Sequence, residues 1–174
     1  MLVLVDASYM QISMTLIPPA IPVVYVGLVS NHATSGRVMS EMSKPLQVYV
    51  VEDSQITQRL LASAIEEAGA ELSGSSADAQ TAIGDVFALQ PDMVLIDISL
   101  ASGSGFDVLK ALQDHSLAPG AIKVVLTNHP YIEYKNLSLR LGADRFFDKT
   151  FETPQALALI KLAATGRSSS ASPH

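Results

Sequence analysis

Met93-Val94-Leu95-Ile96-Asp97 is the stretch on which the fold turns. A strand with one wet face alternates apolar and polar residues, whereas one apolar at every position is buried on both faces, as in a parallel sheet. The carboxylate that ends the run is costly in an apolar interior unless it finds partners there. Asp97 therefore reads as the end of a central strand and the start of something chemical.

Working outward, the same grammar repeats. Upstream, Leu46–Val51 is a short β-branched run that suits a strand. A helix follows, with Ile56, Leu60, Leu61, Ala64, Ile65 and Ala68 as its apolar positions and Gly69 as its stop. Glu71–Ser75 reads as a short edge strand. Asp78 caps a helix whose inward face is Ala79, Ala82, Ile83, Val86 and Phe87. Downstream, Phe106, Leu109 and Leu112 mark a third helix and Ile122–Leu126 a fourth strand. Pro130 is expected to open a helix with Tyr134, Leu137 and Leu141 inward, closed by Gly142. Arg145–Phe147 is a brief fifth strand, and Thr153-Pro154 the expected cap and first residue of a last helix through Leu157 and Ile160.

Five β-α units in series imply an α/β fold with a five-stranded parallel sheet, doubly wound, with right-handed crossovers. Ligands of such sheets lie beyond the carboxyl ends of the strands. The residues there are Glu52 and Asp53 after the first strand and Asp97 after the third, then Thr127 after the fourth and Lys149 after the fifth. Taken singly, Asp53 suits a cap, Thr127 a strand end and Lys149 a solvated surface. Three carboxylates, a hydroxyl and an ammonium on one rim are hard to assemble by chance.

Those positions, with the words Val-Val-Glu-Asp-Ser, Val-Leu-Ile-Asp-Ile-Ser-Leu, Val-Leu-Thr and Phe-Phe-Asp-Lys, resemble the receiver domain of two-component response regulators, of the stand-alone type, over about residues 46–164. The resemblance implies a flavodoxin-like receiver fold with strand order 2-1-3-4-5, an order for which the chemotaxis member of the family is a standing example. It implies Asp97 as phosphoacceptor and Mg²⁺ held by Glu52, Asp53, Asp97 and the backbone carbonyl of Ser99. It implies Thr127 and Lys149 as phosphoryl-binding groups, and Thr127 with Phe146 as the switch; Phe146 as plain core stays open beside it. The chemistry fits: a carboxylate can attack phosphorus and hold it as an acyl phosphate. Mg²⁺ takes a few carboxylate oxygens plus water and phosphate oxygens. A fixed ammonium and a hydroxyl stabilise phosphoryl charge.

The implied function is a single-domain regulator, not an enzyme acting on other molecules. It would accept a phosphoryl group from a histidine kinase or a histidine phosphotransfer protein and pass the signal to an unnamed protein target. The alternative is a protein-binding module of the same fold that works without phosphorylation. A phosphatase of the haloacid dehalogenase type would need a second Asp two residues after Asp97, where Ser99 stands. Gly103-Ser-Gly105 lacks the third glycine of a dinucleotide loop, since Val108 occupies it. Asn136-Leu-Ser138 has the form of a glycosylation sequon without meaning in a cytoplasmic domain, the expected location.

The chain departs from the family at three places. Ala101 replaces a usual Pro, Asn128 a usual small residue, and Thr150 the Pro that follows the family's Lys with a cis bond. A cis bond before a non-Pro residue costs about 2.5–4 kcal/mol, which leaves the Lys149–Thr150 geometry open. Ser99 and His129 hold positions that tune phosphoryl lifetime in relatives.

Composition sets the outer bounds. The 174 residues carry 11 basic and 17 acidic side chains and no Cys, so disulfides, thiolate chemistry and a phosphate-backbone binder are disfavoured. Mean hydropathy is high, at +0.30. Part of that lies in residues 1–41, where Ala7–Ser30 has no charge at all. Pro18, Pro19 and Pro22 interrupt it as a membrane helix, and no positive segment precedes it as in a secretory signal. Residues 1–41 therefore read as an extension outside the domain, with Met39 or Met42 as the natural start; a membrane segment and a docking arm stay as alternatives. The domain is expected over 42–165 and a flexible polar tail over 166–174, with neither nucleic acid nor membrane as partner.

Overall fold

The structure, a computed structural model, describes residues 44–169. The extension over 1–41 and the last five residues lie outside them. Ten elements alternate: β1 (Gln47–Val51), α1 (Gln55–Glu67), β2 (Glu71–Ser76), α2 (Ala79–Leu89), β3 (Met93–Ile96), α3 (Gly105–Asp114), β4 (Ile122–Thr127), α4 (Ile132–Arg140), β5 (Arg145–Asp148) and α5 (Thr153–Ser169). The sheet order is β2-β1-β3-β4-β5, and every neighbouring pair is parallel. The expected fold and strand order are both found.

Successive residues of each strand serve opposite faces, which divides the core in two. Val48, Val50, Met93, Leu95, Val124 and Leu126 pack with Leu61 and Ile65 of α1 and with Ala156 and Ile160 of α5. Tyr49, Val51, Val94, Ile96 and Val125 pack with Val86 of α2 and with Val108, Leu109 and Leu112 of α3. Every residue of β3 is buried, as a doubly covered central strand requires.

Tyr49 shows how a large ring fits between two strands. The β1–β2 register shifts between Val48 and Tyr49 so that Tyr49 pairs with Gly74, and Ser73 turns its hydroxyl to the Val48 carbonyl oxygen, 3.1 Å away. A Cβ at Gly74 would lie 2.9 Å from the ring. The Tyr49 hydroxyl donates to Asp85 Oδ2 at 2.6 Å. Burial first, then the bond to and charge of Asp85, push that hydroxyl's pKa well above its ordinary value.

Helix ends and faces depart from expectation in several places. On α1, Leu61 and Ile65 are buried, but Ile56 and Leu60 are 73% and 67% exposed. At about 100° per residue, Leu60 lies a quarter-turn or more round from Leu61, so contact with the sheet buries one stripe and leaves the other out. The same geometry turns Phe87 outward beside buried Val86. Pro130 does not open α4: Tyr131 is its extended N-cap, with no side-chain capping bond, and Ile132 begins the helix. Its deepest residue is Ser138, not Tyr134 or Leu137, and among the described residues the Ser138 hydroxyl has no partner. Thr153 does not cap α5. The Glu152 carbonyl takes the bond from Ala156 N–H, while the Thr153 hydroxyl reaches back to the Lys149 carbonyl at 2.6 Å. The helix also continues through Gly166 to Ser169, into the stretch read as tail, with Arg167 paired to Asp92.

Candidate functional site

The site is built by continuing the ladder one residue past the strands. Asp97 N–H donates to the Val51 carbonyl at 2.9 Å and Glu52 N–H to the Ser76 carbonyl at 2.9 Å. These bonds hold the backbones of Glu52 and Asp97 side by side at the carboxyl edge of the sheet. Both side chains are buried, at 2% and 6% exposure, while Asp53 turns out to solvent. One carboxylate oxygen from each of the three lies within 4.8 Å of the others.

Two buried carboxylates this close need a counter-charge. Lys149 supplies it: Nζ is 2.6 Å from Glu52 Oε2 and 2.5 Å from Asp97 Oδ2. Burial pulls the ammonium's pKa down, but bonds to and charges of Asp97 and Glu52 outweigh it, leaving the group above its ordinary value. No peptide bond in the described residues is cis, so Lys149–Thr150 is trans and the ammonium still reaches both acids. Local bonds aim it. Asp148 N–H donates to Glu152 Oε2 at 2.8 Å, Thr150 N–H to Asp148 Oδ1 at 2.7 Å, and the Thr153 hydroxyl to the Lys149 carbonyl.

Thr127 is fully buried at the end of β4. Its hydroxyl hydrogen-bonds with neither Asp97 nor Lys149; it accepts the His129 N–H at 3.3 Å. Ser99 is exposed just past Asp97, and its N–H donates to Asp97 Oδ1 at 3.2 Å. Phe146 is half-buried against the Tyr49-containing core cluster, where a core residue and a rotatable one would both sit. Asn128 is exposed.

Several supporting residues escaped the sequence reading. Ser54 caps α1 by accepting Thr57 N–H and donates its own N–H to Glu52 Oε1 at 3.0 Å; Gln58 Nε2 donates to the Glu52 carbonyl at 2.5 Å. Gly105, seen only as part of a failed glycine motif, opens α3 directly against Asp97. A Cβ there would overlap the Asp97 carbonyl oxygen. The available signal was a glycine at a helix start a few residues after the acid, where backbone must approach backbone.

The donor set is oxygen only and carries three negative charges, which suits a hard divalent cation such as Mg²⁺ and excludes a soft-metal centre. Among the described residues the Asp53 carboxylate has no hydrogen-bond or ion-pair partner, and it is exposed. The residues present therefore fit Mg²⁺ at Glu52, Asp53 and Asp97. No helix among the described residues is long and apolar enough to cross a membrane.

A probable transcriptional regulatory protein of Mycobacterium tuberculosis, TcrX, is 26% identical over 68% of this chain and 49% of its own length. A protein-glutamate methylesterase/protein-glutamine glutaminase of Myxococcus xanthus is 31% identical over 70% of this chain and 34% of its own. The chain thus spans from about a third to about half the length of these curated relatives. The crystal structure of a CheY-like receiver domain protein from Methanospirillum hungatei shares the fold at a TM-score of 0.63, with 23% identity, covering 73% of this chain and 99% of that one. Residues 48–161 match the response regulator receiver domain itself, and the chain belongs to that family.

Proposed function

We propose that residues 42–165 accept a phosphoryl group on Asp97 from the phosphohistidine of a sensor kinase or phosphotransfer protein, and pass the signal on by a changed protein-binding face. The observation that carries the reading is the Glu52–Asp97–Lys149 cluster: two buried acids at a strand edge, bridged by one ammonium, with a third acid exposed beside them.

An Asp97 carboxylate oxygen attacks phosphorus as the bond to the donor's imidazole nitrogen breaks, leaving an acyl phosphate and a free histidine. Asp97 is consumed and regenerated by hydrolysis, so the domain is an acceptor and not an enzyme acting on other molecules. Glu52, Asp53, Asp97 and the Ser99 carbonyl would hold Mg²⁺, which would supply positive charge to the phosphoryl oxygens. Lys149 exchanges part of its carboxylate pairing for the same oxygens, and Thr127 turns its hydroxyl toward them. Phe146 then moves into the space that the loop after β4 leaves.

A protein donor suits the surroundings. Ile56, Leu60 and Phe151 follow Asp53 and Lys149 in the chain and are exposed, giving a docking partner apolar side chains to cover at the rim. The formal charge of −6 supports an output through protein rather than nucleic acid, and a cytoplasmic location suits a kinase partner. The test is incubation with Mg²⁺ and acetyl phosphate, followed by intact mass. The expected result is a gain of one phosphoryl group, absent in Asp97→Asn and without added Mg²⁺. No gain with any phosphodonor, together with unchanged partner binding in Asp97→Asn, would leave the phosphorylation-independent module as the answer.

A further inference from the structure

Four rings link the loop after β4 to the start of α3. His129 stacks on Tyr131 with centroids 6.0 Å apart and planes 20° from parallel. Tyr131 meets Tyr134 edge-on at 5.4 Å, and Tyr134 meets Phe106 edge-on at 5.4 Å. Such separations and tilts are those at which aromatic quadrupoles attract. Phe106 directly follows Gly105, the residue packed on the Asp97 backbone. The ladder therefore joins the two segments that leave the site, one after Asp97 and one after Thr127.

The ladder also stands in for a missing cap. Tyr131 is the N-cap of α4 and makes no side-chain capping bond; its N–H is turned back onto the His129 carbonyl at 2.8 Å. On the side of the site, the His129 N–H donates to the Thr127 hydroxyl at 3.3 Å. The buried Ser138 hydroxyl, unpaired among the described residues, leaves α4 with an unfavourable group in its present seat. The start of α4 is thus held by rings that are tied to α3 at Phe106 and, through His129, to the Thr127 hydroxyl.

We infer that His129, Tyr131, Tyr134 and Phe106 form an aromatic brace that fixes the first turn of α4 against α3, and that recruitment of the Thr127 hydroxyl by an Asp97 phosphoryl group releases it. This rests on phosphoryl acceptance at Asp97 as proposed above. A hydroxyl turned toward the phosphoryl oxygens no longer accepts the His129 N–H. The freed N–H draws the loop to a new partner, and the ring attached to it leaves Tyr131. The signal emerges between α3 and α4, on a surface that Tyr131 and Tyr134 partly expose.

The test uses the full chain carrying 3-fluorotyrosine, read by ¹⁹F NMR. Tyr131→Phe and Tyr134→Phe assign two of the five signals, and Tyr49→Phe assigns the buried reference. Acetyl phosphate with Mg²⁺ transfers its phosphoryl group to Asp97 and leaves acetate, with intact mass taken on the same sample. The expected result is displacement of the Tyr131 and Tyr134 signals with Tyr49 unmoved. Thr127→Val, studied without any phosphodonor, removes the His129 N–H acceptor and should displace the same two signals; Thr127→Ser keeps the hydroxyl and should leave them in place. A rise in mass with Tyr131 and Tyr134 unmoved overturns the brace and leaves phosphoryl acceptance standing. No rise in mass removes the phosphoryl trigger and the function proposed above. Unmoved signals in Thr127→Val overturn the brace whatever the mass shows. Should the Tyr49 signal report a misfolded Thr127→Val, His129→Ala takes its place: it must displace Tyr131 before phosphodonor is added, and failure to do so also overturns the brace.

Discussion

β3 and β5 each deliver one partner of the same ion pair, and they do it by opposite means. β3 is buried at all four residues and carries Asp97 straight off its end, so apolar packing on both faces places the acid. β5 is the edge strand next to β4 alone, with its first residue exposed and the rest half-buried. Packing cannot place Lys149 to the same degree. The segment after it is held by polar bonds from Glu152, Asp148 and Thr153. The acceptor is thus positioned by the core and the ammonium by a local hydrogen-bonded loop, which leaves the ammonium the easier of the two to redirect toward an incoming anion.

The comparison breaks hardest at the pair itself. Lys149→Met leaves Glu52 and Asp97 buried without a counter-charge and should cost about 3–5 kcal/mol in metal-free buffer. Urea unfolding measures it; a loss under about 1 kcal/mol would show that the pair behaves like an exposed one. On the β3 side, Leu95→Ala removes a fully covered side chain and should cost about 2–5 kcal/mol, read as a lower urea midpoint at unchanged slope. The smallest effect is expected in the loop. Thr153→Ala loses the bond to the Lys149 carbonyl, about 0.5–1.5 kcal/mol, while slowing phosphoryl uptake from acetyl phosphate. Equal stability losses for Leu95→Ala and Thr153→Ala would erase the distinction between the strands.

The two strands were also unequally legible. Met93–Asp97 announces itself because double burial writes a continuous apolar run that nothing else of that length explains. Lys149 was legible by its place after a fifth strand and by family resemblance, but Thr150 left its peptide geometry open. The trans bond and the double contact to Glu52 and Asp97 emerged only with the fold. Thr153 looked like a cap and is instead a tether, because Glu152 takes the first helical bond.

Helix phase divides the determined from the undetermined most clearly. The spacing of Ile56, Leu60, Leu61 and Ile65 shows that α1 is a helix and is silent on which stripe meets the sheet. Leu61 and Ile65 win because they share a core cluster with Val48 and Val50, and Ile56 and Leu60 are left exposed. The aromatic brace has the same origin: Phe106 is more than twenty residues from Tyr131, so no local pattern brings their rings to one ladder. By itself the sequence determined the order of elements, the doubly wound parallel sheet and the carboxylates at its edge, since periodicity and the cost of buried charge act over short stretches. Which faces turn inward, what caps α4 and α5, and how Lys149 meets its acids were decided by tertiary contacts, because those free energies depend on neighbours distant in the chain.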